Sequence, residues 1–347
     1  MKAFIQPNTY IAYCILLLGF LLSCSDDSGE NDIPQVSLRA AFEFDEAPAL
    51  FSGDEIQFTD KSTGSPTSWN WTFEGGTPAT STEQNPKVIF NQGGNLSVSL
   101  RISNGESEKS QRQVLAIINI SVPPYDGTIW PEPGIIIDSD PSTFSAISYK
   151  GQEERIMYDR RIANWERFNA HVYEATYENG QKVDIQVNPE FSESQAKAYA
   201  EEYAEYVGVI PAFLMTDVKT VSIHDGNEPF GGGSNDILVH VQQGEEYLRV
   251  GNMIETLIHE AAHVSLDQYI YQDPAWTAAV EADPTFISTY ARDNPRREDG
   301  AESILLYLAV KCKSDRITEK MKAIIEKAIP NRIKYFDAQN YDLSPLD

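Results

Sequence analysis

Residues 259–263 have the sequence His-Glu-Ala-Ala-His, which is an HExxH motif. Side chains four residues apart lie on one face of an α-helix, because the helix turns once every 3.6 residues. His259 and His263 can therefore bind one Zn²⁺ ion while Glu260 reaches a water molecule as a general base. The alternative is a core helix with two incidental histidines, which is disfavoured because buried imidazoles without partners cost free energy. The motif predicts a helix beneath a catalytic zinc site.

The residues around the motif indicate where this helix begins. Asn252 can cap its N-terminus, and Glu255 three residues later would complete a capping box. Uncharged residues follow at helical spacing: Ile254, Leu257, Ile258, Ala261, Ala262 and Leu266. We predict a largely buried helix that starts at Asn252.

Residues 1–23 are predicted to be a signal peptide. Lys2 is the only charge before an apolar run, Ile11 to Leu22, that is short for a membrane span. The run ends in Leu-Leu-Ser-Cys, which resembles a bacterial lipobox and implies that Cys24 carries lipid. The alternative is a plain secretory signal with an incidental cysteine. Both predict export; the lipobox predicts a lipid anchor in the cell envelope, with the outer membrane as the expected location. Residues 24–37 are predicted to be an acidic tether.

Composition excludes some partners and some sources of stability. The chain has 27 basic and 52 acidic residues and a formal net charge of −25, so its surface repels phosphate backbones and no nucleic-acid partner is expected. Of the three cysteines, Cys14 leaves with the signal peptide and Cys24 would be lipidated, which leaves Cys312. No intrachain disulfide is therefore predicted, and a chain of 347 residues is long enough for two domains with cores of their own.

Residues 38–121 are predicted to be all-β. Short apolar runs alternate with Gly- and Pro-rich turns, a spacing typical of a small β-sandwich. Trp69 and Trp71 lie two apart and would project from one face of a strand. Several segments resemble a PKD domain: Phe58–Ser62, Trp69–Gly76, Asn85-Pro86, Gly94–Leu100 and Asn104-Gly105. The resemblance implies an immunoglobulin-like module that serves as a spacer or makes weak protein or glycan contacts.

Residues 122–134 contain four prolines and are predicted to be a stiff linker. Residues 135–347 then mix strand and helix patterns. Asn179-Gly180 predicts a hairpin, and Ser192 with Gln195 predicts a helix start. Asp236–Val241 is predicted to be an edge strand beside the cleft, and Gly231–Gly233 a flexible turn.

A catalytic zinc site needs a third protein ligand, and carboxylates downstream of the motif can supply it. Asn294 is predicted to cap a helix over residues 295–313 with Pro295 at its first position, which puts Glu298 and Glu302 on one face. We predict Glu298 as the ligand and Glu302 as an acceptor for an imidazole N–H. The reverse assignment stays open, and Asp299 is disfavoured because it faces elsewhere.

Asp267 lies four residues past His263 on the same face of the motif helix. It is predicted to support a ligand, or to contact the helix end, rather than to bind metal. His171, His224 and His240 lie in strand patterns and are predicted to be structural.

The motif helix and the downstream glutamates together resemble the glutamate zincins. Thr289-Tyr290-Ala291 followed by Glu298-Asp299-Gly300-Ala301-Glu302 is similar to the anthrax-lethal-factor-type peptidase domain, which has Phe where this chain has Gly300. The resemblance implies an α+β zincin fold with a sheet before the motif helix. It also implies that Tyr290 donates its hydroxyl to the developing oxyanion.

These patterns together predict a lipid-anchored zinc metallopeptidase with an immunoglobulin-like PKD sandwich and an α+β zincin domain. One Zn²⁺ ion per chain and a peptide or protein substrate are expected. Two other functions stay open. The chain could be an inactive zincin-fold envelope protein that binds protein or glycan, or a metal-dependent hydrolase of a non-peptide amide.

Overall fold

The computed structural model describes residues 36–128 and 134–347. The predicted signal peptide, Cys24 and most of the predicted tether lie outside these residues, as do residues 129–133 of the predicted linker. Within the described ranges, no helix combines the length and the apolar character that crossing a membrane requires.

The N-terminal region is a β-sandwich, as predicted. Its strands are β1 Phe42–Phe44, β2 Leu50–Phe51, β3 Glu55–Asp60, β4 Ser68–Phe73, β5 Gly76–Thr77, β6 Thr80–Ser81, β7 Lys87–Phe90, β8 Gly94–Ser103 and β9 Glu108–Ile118. They form two sheets, ordered β1-β3-β7-β5 and β2-β9-β8-β4-β6. Trp71 is fully buried among Phe42, Phe58 and Phe73, whereas Trp69 is half-buried and donates its indole N–H to Asp60 at 2.7 Å.

The second region is mixed α/β and is organised around a six-stranded sheet ordered β10-β11-β12-β13-β15-β14. Its strands are β10 Phe144–Asp159, β11 Asn164–Tyr177, β12 Lys182–Val187, β13 Thr220–His224, β14 Gly231–Gly233 and β15 Asp236–His240. The hairpin predicted at Asn179-Gly180 joins β11 to β12. Strand β10, which no pattern predicted, pairs with β11 along a long antiparallel ribbon.

Two of the helices lie between β12 and β13 in the chain, and the others follow β15. The helices are α1 Glu193–Val207, α2 Ala212–Met215, α3 Val241–Val250, α4 Met253–Ser265, α5 Asp267–Ile270, α6 Pro274–Ala282, α7 Thr289–Asp293, α8 Asp299–Cys312, α9 Glu319–Ala328 and α10 Pro330–Gln339, with a 3₁₀ turn at Ser314–Arg316. The capping box predicted at Ser192 and Gln195 is confirmed at the start of α1. Helix α4, which carries the HExxH motif, packs against α8 and β14.

The edge-strand prediction was wrong. Strand β15 lies inside the sheet between β13 and β14, and Val241 already begins α3. The strand at this edge of the sheet is β14, the glycine segment that the sequence predicted to be a turn. A run of glycines has no alternating apolar pattern, so nothing in the sequence marked it as a strand. Glycine is required there: a Cβ on Gly232 would lie 2.0 Å from the carbonyl oxygen of Glu260 on α4.

The capping box predicted at Asn252 was also wrong. Asn252 precedes α4 but makes no capping bond with its side chain, because its backbone (φ −120°, ψ 17°) lacks the extended conformation that a cap needs. Glu255 turns inward instead and accepts the N–H groups of Ile135 and Ile136 at 2.9 and 3.2 Å. Burial raises the pKa of Glu255 to about 7, against the lowering effect of these two bonds.

His224 and His240 are fully buried at the ends of adjacent parallel strands. Nδ1 of His224 lies 2.9 Å from the side-chain nitrogen of Asn188, and neither ring nitrogen of His240 has a hydrogen-bond partner among the described residues. Burial lowers the pKa of both imidazoles to about 4. Neither histidine belongs to the group of side chains with metal-ligand spacing in the described part of the chain.

Acid should destabilise the protein through this pair. In the unfolded chain each histidine has a pKa near 6.5, whereas in the folded protein the pKa is about 4. The unfolded state therefore binds more protons between these two pH values, and the free energy of unfolding decreases as the pH falls from 6.5 to 4. We expect His240→Leu to reduce the stability lost between pH 7 and pH 4.5 by roughly 1–3 kcal/mol. Urea unfolding at a series of pH values measures this. Identical pH profiles for the wild type and the variant would contradict it.

The close approach of β14 to α4 gives a second prediction. Gly232→Ala should lower the unfolding free energy by roughly 1–3 kcal/mol, because the new methyl group meets backbone that cannot move aside. Gly231→Ala is the matched control in the same strand, since its Cβ meets the movable end of the Arg160 side chain. Thermal and urea unfolding of both variants decide the matter. Equal effects of the two substitutions would show that the Gly232 contact is not restrictive.

Candidate metal centre

Three potential ligand atoms converge at the exposed side of α4. Nε2 of His259 and Nε2 of His263 lie 3.1 Å apart, and Oε2 of Glu298 lies 3.4 and 3.3 Å from them. These residues form the one group of three or more His, Cys, Asp or Glu side chains with metal-ligand spacing in the described part of the chain. The structure thus brings together the three residues that the sequence suggested as ligands.

The outer nitrogens of the two imidazoles face carboxylates. Nδ1 of His263 lies 2.8 Å from Asp267, and an ionised carboxylate only accepts, so Nδ1 carries a proton and Nε2 faces the cluster. Nδ1 of His259 lies 3.7 Å from Oε1 of Glu302. Asp267 is thus within hydrogen-bond distance of its imidazole, whereas Glu302 lies next to the other imidazole but beyond that distance.

Glu302 is itself held by two hydroxyl groups. Thr128 donates to its Oε1 at 2.7 Å and Ser288 to its Oε2 at 2.9 Å. Thr128 belongs to the predicted linker, so this end of the linker packs on the second region instead of acting as a free spacer. The sequence did not predict either contact. Thr128 and Ser288 lie 174 and 14 residues from Glu302 in the chain, and contacts at such separations leave no local pattern.

Glu298 reaches the cluster from the start of α8, and the predicted start of that helix was wrong. Asn294 ends α7 instead, and its carbonyl accepts the N–H of Glu298 at 2.9 Å in the turn between the helices. Glu298 occupies the N-cap position, and α8 begins at Asp299. Pro295 therefore lies in the turn. The two glutamates still lie close together because the turn holds Glu298 about one helical turn before Glu302.

The other candidate carboxylates, Glu302 and Asp299, contact groups away from the point where the two Nε2 atoms meet. Glu302 faces the far nitrogen of His259, so it does not share the point where both Nε2 atoms meet. Asp299 is fully buried against Arg332, which donates to it at 3.1 Å, and Ser303. His171 contacts Tyr149 on the ribbon, away from the cluster.

The cluster attracts positive charge. Burial lowers the pKa of His263, but its contacts with Asp267 and Glu298 outweigh burial and raise the pKa to about 10. Burial raises the pKa of Glu298, but the adjacent His259 and His263 outweigh it and hold that pKa well below its usual value. An ionised Glu298 beside two imidazoles is suited to a bound cation.

Glu260 and Tyr290 line a cavity of about 340 Å³ that opens onto the cluster. The Glu260 side chain has no hydrogen bond or ion pair with the residues that the structure describes. The Tyr290 hydroxyl donates to Oε1 of Glu298 at 3.0 Å, and burial followed by the nearby Glu298 charge raises its pKa. Tyr290 thus faces the ligand cluster and is 37% exposed, so a molecule in the cavity can reach it.

Gly300, where the resembled family has Phe, is packed against α5. A Cβ on Gly300 would lie 2.4 Å from the side chain of Ile270 and 3.4 Å from Asp267, and its N–H bonds the hydroxyl of Tyr271 at 2.9 Å. The glycine thereby lets α5 approach α8 closely.

Comparisons with known proteins identify the first region only. The PKD domain family model matches residues 42–116. A solved structure with similarity is the PKD1 domain from Vibrio cholerae metalloprotease PrtV, which is 22% identical, with 24% of this chain and 98% of that chain covered and a TM-score of 0.20. Among curated proteins, no significant match to this chain exists. Residues 42–116 are therefore a PKD domain, and a mixed α/β region with the metal-type cluster follows it.

Proposed function

We propose that the second region is a zincin-type metallopeptidase that hydrolyses peptide bonds. His259, His263 and Glu298 would bind one Zn²⁺ ion, and Glu260 would act as the general base. The observation that carries this proposal is the convergence of three ligand atoms, 3.1 to 3.4 Å apart, in one cavity with the carboxylate of Glu260, which has no hydrogen bond or ion pair with a described residue.

The donor set fits zinc by both chemistry and spacing. Two imidazoles and one carboxylate are a common ligand set for catalytic zinc. With metal–ligand bonds of about 2.0–2.1 Å and tetrahedral angles, neighbouring ligand atoms should lie about 3.3 Å apart. The three separations found here, 3.1, 3.3 and 3.4 Å, match this value. A cation would also replace the proton that the cluster otherwise favours on His263.

Peptide hydrolysis needs an attacking water, a base and a group that stabilises the oxyanion. When bound, zinc would supply Lewis acidity that lowers the pKa of a water from 15.7 towards about 7. Glu260 would take the proton of the attacking water and later deliver it to the leaving amine. Tyr290 would turn its hydroxyl from Glu298 towards the developing oxyanion. Asp267 and Glu302 would keep both imidazoles in the ligating orientation.

The sheet next to the cavity supports an extended peptide as the substrate. Strand β14 is at the edge of the sheet, and its residues Gly231 and Gly232 line the same cavity as Glu260. An edge strand can pair with an added peptide strand through main-chain hydrogen bonds. An amide in such a strand would lie beside the cluster.

We further propose that the chain is exported and anchored to the cell envelope through lipid on Cys24. The PKD domain would serve as a spacer between the membrane and the catalytic region. A contact between the two regions, Lys327 with Asp54 at 2.7 Å, is exposed and contributes little to holding them together.

Glu260→Gln provides the direct test of this function. With zinc supplied, the wild-type chain should cleave members of a mixed peptide library, detected as new termini by mass spectrometry. The variant should lose about 10²–10⁴-fold in kcat/KM, because Gln cannot accept the proton, while its bound zinc is unchanged.

Glu245→Gln on the exposed surface of α3 is the matched control and should retain full activity. Hydrolysis that persists in Glu260→Gln would contradict the proposed role of Glu260. A zinc-loaded wild type that cleaves no peptide would favour an inactive, binding protein.

A further inference from the structure

Arg160 is a half-buried arginine whose side chain makes no hydrogen bond or ion pair with residues 36–128 and 134–347. The absence of a partner is unexpected in a chain with 52 acidic and 27 basic residues. A partly desolvated guanidinium without an anion costs free energy, so such a group usually has a partner or awaits one.

The neighbouring arginines are paired. Arg161, the next residue, bonds both oxygens of Asp159 at 2.9 and 2.8 Å and also reaches Glu190 at 2.8 Å. Arg297, which lines the same cavity as Arg160, contacts Oε1 of Glu298 at 3.2 Å. Among the residues that the structure describes, Arg160 is therefore a cation beside the metal-type cluster whose side chain has no hydrogen bond or ion pair.

Arg160 lies where two cavities meet. It lines the cavity of about 340 Å³ at the cluster and a second one of about 200 Å³, and Gly231 and Gly232 also line both. Its guanidinium lies against the edge strand, since a Cβ on Gly231 would be 2.3 Å from Nη2. An anion bound to Arg160 would thus lie beside any chain that pairs with β14.

Asp236, the acidic residue that lines the second cavity, forms no ion pair with Arg160. The Asp236 side chain is buried and accepts hydrogen bonds from Thr220 and Ser222. Burial raises the pKa of Asp236 to about 6, against the effect of these bonds. The other prominent residues there are aromatic: the rings of Tyr158 and Trp165 are 5.5 Å apart, and Trp165 is 49% exposed.

We propose that Arg160 is a specificity residue that binds an aspartate or glutamate side chain of the substrate peptide. This proposal rests on the proposed peptidase function and adds the substrate class: acidic segments, with the acidic residue held at the junction of the two cavities. The planar guanidinium bonds a carboxylate through two parallel N–H groups, which gives both affinity and a preferred position.

The test measures binding separately from cleavage. The full chain with Glu260→Gln is titrated with fluorescein-labelled, C-terminally amidated peptide libraries, and fluorescence anisotropy reports binding. In each library one position is fixed as Glu, Gln or Lys, so the Glu and Gln members of a set differ by one charge. We expect Glu to bind about 10-fold more tightly than Gln at one position, with no such preference after Arg160→Gln. Arg160→Glu should instead prefer Lys there.

Arg167→Gln, an exposed substitution on the same ribbon, is the matched control and should keep the preference for Glu. Binding without any preference for Glu, or a preference that survives Arg160→Gln, would overturn the Arg160 proposal and leave the peptidase proposal intact. Failure to bind any library would overturn both proposals.

Discussion

The outer nitrogen of each imidazole on α4 faces a carboxylate, at 2.8 Å for His263 and 3.7 Å for His259, while the inner nitrogens face each other. Asp267 comes from α5, and Glu302 comes from α8 with Thr128 and Ser288 holding it. The cluster on α4 therefore depends on four further stretches of chain: α5, α8 and the segments that contain Thr128 and Ser288. Because a buried carboxylate without a partner is costly, each of these elements must pack correctly before the site is stable.

The local parts of this arrangement could be predicted from the sequence, and the long-range parts could not. The two histidines share a face by helix geometry alone, and the PKD turns have strong signals. The start of α8 was misplaced because Asn294 and Pro295 are equally suited to ending one helix and to beginning the next. The edge strand was missed because three glycines have no side chains to show a period.

Backbone packing links the sheet edge to the motif helix. Gly232 lies against the carbonyl of Glu260, and Gly231 lies against Arg160. One short strand thus lies against both the proposed base and Arg160, at the edge where a substrate is proposed to pair. These glycines give no side-chain pattern from which a strand could be predicted. Their lack of a side chain also allows β14 to approach α4 closely.

The metal content of the purified chain tests the central claim most directly. Inductively coupled plasma mass spectrometry on the wild type, Glu298→Ala and Glu302→Ala, each reconstituted with zinc and then dialysed, gives the stoichiometry. The account predicts about one zinc per wild-type chain, loss in Glu298→Ala, and affinity weakened about 10- to 100-fold in Glu302→Ala. A wild type that retains no zinc, or zinc that persists in Glu298→Ala, would contradict it.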